Sequence, residues 1–437
     1  MRETAFSAFD DTDKPSREII EDCVHCGFCL SACPTYLQTG NELDSPRGRI
    51  YLMKSASEGE IPLHGSLVKH LDMCLGCLAC EPACPSGVRY GRLIEAGRSQ
   101  IERRYERPFF EKLYRSLIFS IFPYPERLRV LLPFFYIYQK LGIRSLLGSS
   151  GVRAKLPLKL AQMEEMLPEV TSPVVRSALP RVIPARGERR HRVALLTGCV
   201  QSVFFAKTNE ATVSVLTENG CEVVVPQNQG CCGALSVHSG RLSEGREFAK
   251  LLIEEFEGLE VDAIIVNSAG CGSTMKEYGE ILREDAEFAG RAGEMSGRTR
   301  DIMEFLSEIG LAGGLKELNL KVTYQDACHL GHAQKIKDQP RDILKQIPGL
   351  ELVELSESDL CCGSAGIYNL VEPEMSRRLL ERKTGHLKNT GADILVAGNP
   401  GCLLQIQKGI KQHGLNIRTA HPVELLDWSY KGESGLP

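Results

Sequence analysis

CVHCGFCLSACP (residues 23–34) and CLGCLACEPACP (residues 74–85) are two copies of one pattern, Cys-x2-Cys-x2-Cys-x3-Cys-Pro. Three thiolates spaced in this way wrap three irons of a cubane from one short loop, and the fourth cysteine opens the next element. Zinc is the competing reading, because structural zinc sites also use four ligands. Those sites commonly take two Cys-x2-Cys pairs, and matching runs of four cysteines that each end in proline fit zinc poorly. The two runs therefore predict two [4Fe-4S] clusters.

In two-cluster ferredoxins the fourth cysteine of each run binds the other cluster. This predicts one cluster on Cys23, Cys26, Cys29 and Cys84, and a second on Cys74, Cys77, Cys80 and Cys33. The spacer between the runs contains SPRGRIYLMKSASEGEI, and Arg49, Tyr51, Leu52 and Met53 favour a helix after Pro46. The apolar alternation of a small β-rich ferredoxin is missing. Residues 1–104 are therefore expected to form an α-helical ferredoxin-type domain. His25 lies inside the first run, but four cysteines already suffice for a cubane. Arg47 and Arg49 either place positive charge near a cluster or bind backbone carbonyls.

The whole chain has 437 residues, 52 basic and 56 acidic, with 43% hydrophobic content. That length allows about two to four domains, and the charge balance lacks the basic footprint of a nucleic-acid binder. Seventeen cysteines is a high count. Clustered at ligand spacing behind a polar, acidic start (MRETAFSAFDDTDK), they point to metal sites in a reducing compartment rather than a secreted disulfide framework. A cytoplasmic location follows as the expectation. No stretch reaches the ~18 consecutive apolar residues of a membrane span; the nearest, Leu117 to Leu147, is broken by prolines and charges.

Residues 105–190 contain no cysteine and are expected to be a helical segment followed by a linker, Thr171 to Arg190. The rest is an internal repeat. Cys199, Cys231-Cys232-Gly233 and Cys271 recur as Cys328, Cys361-Cys362-Gly363 and Cys402, 129 to 131 residues later. Spacing this regular argues for two copies of one domain, 191–310 and 311–437. Each copy alternates strand-length apolar runs with helical stretches. The runs are 193–199, 221–226 and 262–268 in the first copy, and 321–328, 350–355 and 393–400 in the second. The helical stretches include Asn209 to Glu218, Glu244 to Glu257 and Glu374 to Lys388. This predicts βα units around small parallel sheets, and makes the whole chain an α+β multidomain protein. Cys199, Cys271, Cys328 and Cys402 fall at or just past strand ends, where open α/β sheets place their ligands.

The doubled Cys-Cys-Gly module resembles the cysteine-rich "CCG" domain found in heterodisulfide reductases, succinate:quinone reductase variants and anaerobic glycerol-3-phosphate dehydrogenases. In that family the fuller motif ends in Cys-x2-Cys and the domain can hold a noncubane cluster. Here Ser268 and Asn399 stand where the extra cysteine would be. A four-thiolate cluster, a catalytic thiol pair and an empty structural site are all open readings for Cys199, Cys231, Cys232 and Cys271, and for Cys328, Cys361, Cys362 and Cys402. A further iron–sulfur cluster in one or both copies is thus a candidate cofactor.

Over its whole length the sequence is similar to the glycolate oxidase iron–sulfur subunit. The likeness is carried by CVHCGFC (23–29), CPTY (33–36), ELDSPRGRIYL (42–52), CPSGVRY (84–90), SAGCG (268–272), KEYG (276–279) and LCCGSAG (360–366). The resemblance implies a complex in which FAD-containing subunits oxidise glycolate or another 2-hydroxy acid. This chain would then relay electrons towards a quinone, peripheral to the inner face of the membrane. The alternative it implies is a heterodisulfide-reductase-like or glycerol-3-phosphate dehydrogenase-like iron–sulfur subunit. No flavin, nicotinamide or phosphate-loop motif is present, so no catalytic residue is assigned to the chain.

Four further readings complete the sequence. The aromatic and basic residues of 105–147 suit an interfacial helix or ordinary packing. His329 and His332 would share a helix face, able to bind metal, pass a proton or simply pack. His238 is read in the same way. Cys221 has no counterpart in the second copy and reads as a small buried hydrophobe.

Overall fold

The computed structural model describes residues 7–143, 158–170, 172 and 179–433. Its N-terminal part is helical: Arg17–Glu21, Pro34–Thr39, Pro46–Ser57, Gly65–Asp72 and Tyr90–Arg104 surround the two cysteine runs. The helix expected after Pro46 is present. Proline at its first position needs no hydrogen-bond partner for a missing N–H, and the Ser45 hydroxyl caps it by accepting from Gly48 N at 3.0 Å.

The middle segment is a helical hairpin, Phe109–Ile121 and Pro125–Lys140, followed by Leu158–Glu165. Arg107 anchors its start, pairing with Asp72, Glu102 and Glu111. Ile118 and Phe119 on the inner face pack against Ile367 and Leu370 of the second repeat. Residues 144–147 of the interrupted apolar stretch, and 171 and 173–178 of the expected linker, lie outside the described residues.

The repeats fold alike. The first sheet has the order β1-β3-β2-β4-β5, with β1 Val182–Ile183, β2 His191–Leu196, β3 Cys221–Val224, β4 Ala263–Val266 and β5 Thr299–Asp301. The second has the order β7-β6-β8-β9, with β6 Leu320–Tyr324, β7 Leu350–Glu354, β8 Ile394–Val396 and β9 Arg418–Ala420. All pairings are parallel except β1 with β3. The six apolar runs read from sequence are β2, β3, β4, β6, β7 and β8, and the three helical stretches lie in Ala206–Glu218, Leu242–Phe256 and Pro373–Lys388. The expected linker differs: Val182 and Ile183 leave it to pair with β3.

β4 reads Ala-Ile-Ile-Val and is buried along its length, as expected of a strand covered on both faces. Each such aliphatic side chain contributes about 1.5–3 kcal/mol on burial. One core runs through both repeats, joining Val193, Leu195, Val223 and Ile265 to Val322, Tyr324, Ile394 and Val396. Helices Ala206–Glu218 and Pro422–Lys431 cross at this junction, where the Thr208 hydroxyl donates to the Glu424 carboxylate at 2.6 Å.

Candidate functional site

The two cysteine runs follow the same backbone path. In each, the residues two and four places after the first cysteine are left-handed: His25 (φ 53°) and Gly27 (φ 89°), then Gly76 (φ 63°) and Leu78 (φ 61°). These turns curl each loop so that its first three thiols face one space. Gly27 is also held by proximity, since a Cβ there would meet Arg47 Nη1 at 2.6 Å.

Two cavities result. One is lined by Cys23, Cys26, Cys29 and Cys84, with Gly27, Arg47 and Ile50 among the other walls. The other is lined by Cys33, Cys74, Cys77 and Cys80, with Thr35, Arg49 and Leu75. Each fourth cysteine thus sits with the opposite run's loop. Pro46, Cys80 and Tyr90 line both spaces, so the cavities share a wall. Among the described residues no three Cys, His, Asp or Glu side chains converge as they would on a single ion. Four thiols lining one space suit a cluster with metals at several corners.

The second cavity is the more buried. Cys33, Cys74, Cys77 and Cys80 are all buried, whereas Cys26 is exposed. Arg49 is 1% exposed. Its guanidinium donates to His70 O at 2.7 Å, to the Thr35 hydroxyl at 3.0 Å and towards Cys33 Sγ at 3.9 Å. Of the two sequence readings of this arginine, the carbonyl contact is present, and the guanidinium also lies beside a cysteine sulfur. Burial alone would lower its pKa, but Cys74, Tyr90, Cys33 and Asp44 hold it above the usual arginine value. Burial pushes the Cys74 thiol up, yet Arg49, Arg98 and the Tyr90 hydroxyl, 3.6 Å from its sulfur, leave it below the usual thiol value. Thiolate is the form a metal cluster needs.

His25 faces Tyr51 edge-on with ring centroids 6.4 Å apart, and its carbonyl accepts from Arg47 at 2.9 Å. Its left-handed φ is the conformation glycine takes at the matching position, Gly76. His25→Gly is expected to keep full iron and sulfide, with stability unchanged or raised by up to about 1 kcal/mol. Iron analysis and thermal unfolding check this; loss of one cluster's iron would make the imidazole a ligand.

In each repeat the four cysteines gather at the C-terminal edge of the central strands. Cys199 opens the helix after β2, Cys271 lies in the first turn after β4, and Cys231-Cys232 follow β3. Cys328, Cys402 and Cys361-Cys362 repeat this after β6, β8 and β7. Gly233 (φ 79°) and Gly363 (φ 89°) make the turn after each pair, and a Cβ would meet Gly245 O at 2.8 Å or Ser376 O at 2.7 Å. In the first quartet the sulfurs of Cys199 and Cys231 are 3.7 Å apart.

Ser268 and Asn399, which replace the extra cysteines, meet across the repeat junction at 3.4 Å. The Asn399 amide also donates towards Cys402 Sγ at 3.5 Å. His329 lies in a π-helical turn, His329–Ala333, where it stacks on His238 with centroids 4.5 Å apart. His238 in turn bonds to Glu95 at 2.8 Å. His332 turns away to the Asp359 carbonyl at 3.0 Å. His238 and His329 thus join the two repeats at Glu95 of the cluster domain, while His332 stays within its own repeat, and the two histidines of the turn do not share one face. Burial pushes His329 down to about 3, so its ring is neutral. Cys221 is fully buried, and burial pushes its thiol up to about 12.

Sequence reasoning missed the Ser268–Asn399 bridge, the histidine stack and the role of Tyr90. It also missed Lys383, buried beside the second quartet. Aligning the repeats would have exposed Lys383, because its counterpart is Leu252.

Comparison with known proteins matches three family models to separate stretches of the chain. A 4Fe-4S dicluster domain matches residues 19–88, and a cysteine-rich domain matches 193–276 and again 322–407. The linker region of the glycolate oxidase iron–sulfur subunit matches 110–167. The chain is 41% identical over 413 residues to the probable glycolate oxidase iron–sulfur subunit of Bacillus subtilis (strain 168), covering 93% of each chain. It is 37% identical to the glycolate oxidase iron–sulfur subunit of Escherichia coli (strain K12), covering 88% of this chain and 89% of that one. Lactate utilization protein A of Shouchella clausii is 32% identical over 54% of this chain and 98% of its own length. A crystal structure of a hypothetical protein from Helicobacter pylori shares the fold, with a TM-score of 0.54, 11% identity, and coverage of 96% of this chain and 75% of that one. The N-terminal domain is accordingly an iron–sulfur dicluster domain of the 4Fe-4S type, and the chain belongs to the glycolate oxidase iron–sulfur subunit family.

Proposed function

We propose that this chain is the electron-transfer subunit of a flavin-dependent glycolate, or related 2-hydroxy-acid, dehydrogenase. It takes electrons from FAD-containing partner subunits and passes them towards a quinone. The observation that carries this reading is the shared wall between the two thiol-lined cavities, which brings two clusters next to each other. We assign the first cluster to Cys23, Cys26, Cys29 and Cys84, and the second to Cys33, Cys74, Cys77 and Cys80. When bound, the clusters supply one-electron carriers, and the chain's own residues set their surroundings.

The two sites differ in access. Around the first, Cys26 is exposed and flanked by Val24 (69% exposed) and Phe28 (65% exposed). An apolar rim beside a shallow cluster suits a docking flavoprotein, and this side is assigned to electron entry. The second site is buried, with Arg49 offsetting its negative charge.

The helical hairpin offers a membrane contact. Phe109, Phe110, Leu113 and Leu117 are exposed on one helix, and Val130, Phe134, Ile137 and Leu141 along the other, with Lys112, Arg127, Arg129 and Lys140 also exposed. Apolar stripes bordered by basic residues suit the surface of an anionic bilayer. Among the described residues no helix is long and apolar enough to cross a membrane. The full chain is expected to co-sediment with phosphatidylglycerol vesicles, and Phe134→Glu with Ile137→Glu to reduce that binding about tenfold or more. Equal binding by both proteins would remove the membrane assignment.

Function is tested by deleting the gene in a host that grows on glycolate and by co-purifying the chain with flavoproteins. The reading expects loss of growth and of dye-linked activity, restored by the wild-type gene. Unchanged growth would contradict it.

A further inference from the structure

Residues 84–90, CPSGVRY, serve both thiol-lined cavities. Cys84 lines the first, with Cys23, Cys26 and Cys29. Tyr90 opens the helix Tyr90–Arg104, is 3% exposed and packs in the core of the cluster domain. Its side chain lines both cavities, as only Pro46 and Cys80 also do. Pro46 has no polar side-chain atom, and Cys80 is assigned as a ligand. Tyr90 is therefore the one shared wall residue with a donor left to act on a ligand. Its hydroxyl donates to Cys74 Sγ at 3.6 Å and makes no other hydrogen bond among the described residues.

Packing alone does not account for a tyrosine here. Phenylalanine would fill the same space without a hydroxyl to satisfy, and a buried hydroxyl left unpaired is costly. The hydroxyl is matched to the sulfur.

The two sites also differ in the donors around their sulfurs. Among the described residues, side-chain donors reach only Cys33 and Cys74 of the eight cysteines in the two runs. Cys74 Sγ accepts from Gly76 N as well, at 3.3 Å. Both cysteines belong to the second site. A hydrogen bond to a ligand sulfur favours the more negative, reduced state of the cluster it holds and raises its potential. Burial works the other way, because it disfavours added charge. The second site is the deeper one, so without these donors it would be the poorer electron acceptor.

We propose that Tyr90 is the positioning residue that sets the direction of transfer between the two sites. Its hydroxyl on Cys74 makes the second cluster the better acceptor, so that electrons entering at the first site pass on to the second. The step moves one electron from the first cluster, which is oxidised, to the second, which is reduced. No bond forms or breaks, and the phenol keeps its proton. This inference rests on the proposed assignment of the two clusters and adds an order to them.

The test is a redox titration of the full-length chain, purified anaerobically and followed by electron paramagnetic resonance, with iron and sulfide analysis of each sample. Cys26→Ala and Cys77→Ala identify the signal of each site. In the wild type the second site is expected to be reduced before the first. Tyr90→Phe keeps the ring, and should keep the iron, the sulfide and the first site's potential. The second site's potential should fall, changing its oxidised-to-reduced ratio at a fixed potential about three- to tenfold; tenfold is about 59 mV for one electron. An unchanged second-site potential in Tyr90→Phe, or equal shifts at both sites, would overturn the inference and leave the cluster reading intact. Reduction of the first site before the second in the wild type would do the same. Loss of iron in Tyr90→Phe would make the tyrosine a structural support and also overturn it. A wild type without iron and sulfide would remove the cluster reading itself, and the role of Tyr90 with it.

Discussion

Cys84→Ala is expected to remove about four irons, and to remove them from the cluster built on the other motif's loop. Cys84 belongs to the second run, yet it lines the cavity of Cys23, Cys26 and Cys29. Its loss should therefore mimic Cys26→Ala. The reduced protein should keep the spectrum of the buried cluster, and Cys84→Ala and Cys26→Ala should be indistinguishable by electron paramagnetic resonance. Cys77→Ala should lose the opposite signal. A Cys84→Ala spectrum matching Cys77→Ala would contradict crossed ligation and with it the reason for the shared wall. The first site is the shallower one, so its loss is expected to leave most of the fold intact.

Arg49→Met should have the largest effect of any single change that spares the cysteines. The guanidinium is buried and holds together Thr35, His70 and Cys33. Asp44, 4.0 Å away, and the nearby thiols would be left without their cation. Breaking a buried charge arrangement on one side typically costs about 3–5 kcal/mol. The same charge favours the reduced, more negative state of the adjacent cluster, so its removal should lower that cluster's potential. Arg49→Lys keeps the charge but not the fork that reaches three partners, and should fall between the two. Denaturant unfolding and a redox titration followed spectroscopically measure both effects. An unchanged potential in a folded Arg49→Met would show that the arginine is only structural.

The parts of the molecule visible in the sequence are those encoded locally. Spacing alone exposed the cysteine runs and the duplication. Apolar runs of strand length marked β2, β3, β4, β6, β7 and β8; of these β4 and β8 are buried along their whole length, as a parallel strand covered on both faces is. β5 and β9 escaped notice because each has three residues with arginine among them, Thr-Arg-Asp and Arg-Thr-Ala. They pair at sheet edges, where tertiary contacts outweigh composition. β1 was hidden in a proline-rich stretch for the same reason.

What stayed illegible depends on contacts between residues far apart in the chain. His238 and His329 are ninety-one positions apart in sequence but stack at the meeting point of three domains. The spacing of His329 and His332 suggested a shared helix face, whereas the π-helical turn sends the two to different partners. Cys77 and Cys328 come together only when the second repeat docks on the cluster domain. Ser268 and Asn399 looked like losses from a fuller motif, and they are hydrogen-bonded partners at the repeat junction.

The central claim is that electrons from a 2-hydroxy acid pass through the clusters of this chain. The complex with its flavoprotein partners, purified anaerobically, should be mixed with glycolate and followed by rapid-freeze electron paramagnetic resonance and visible absorption. The relay predicts bleaching of iron–sulfur absorption and the appearance of reduced-cluster signals as the flavin is reoxidised. Reduced flavin beside clusters that stay oxidised, in a complex that still turns over with its acceptor, would contradict it.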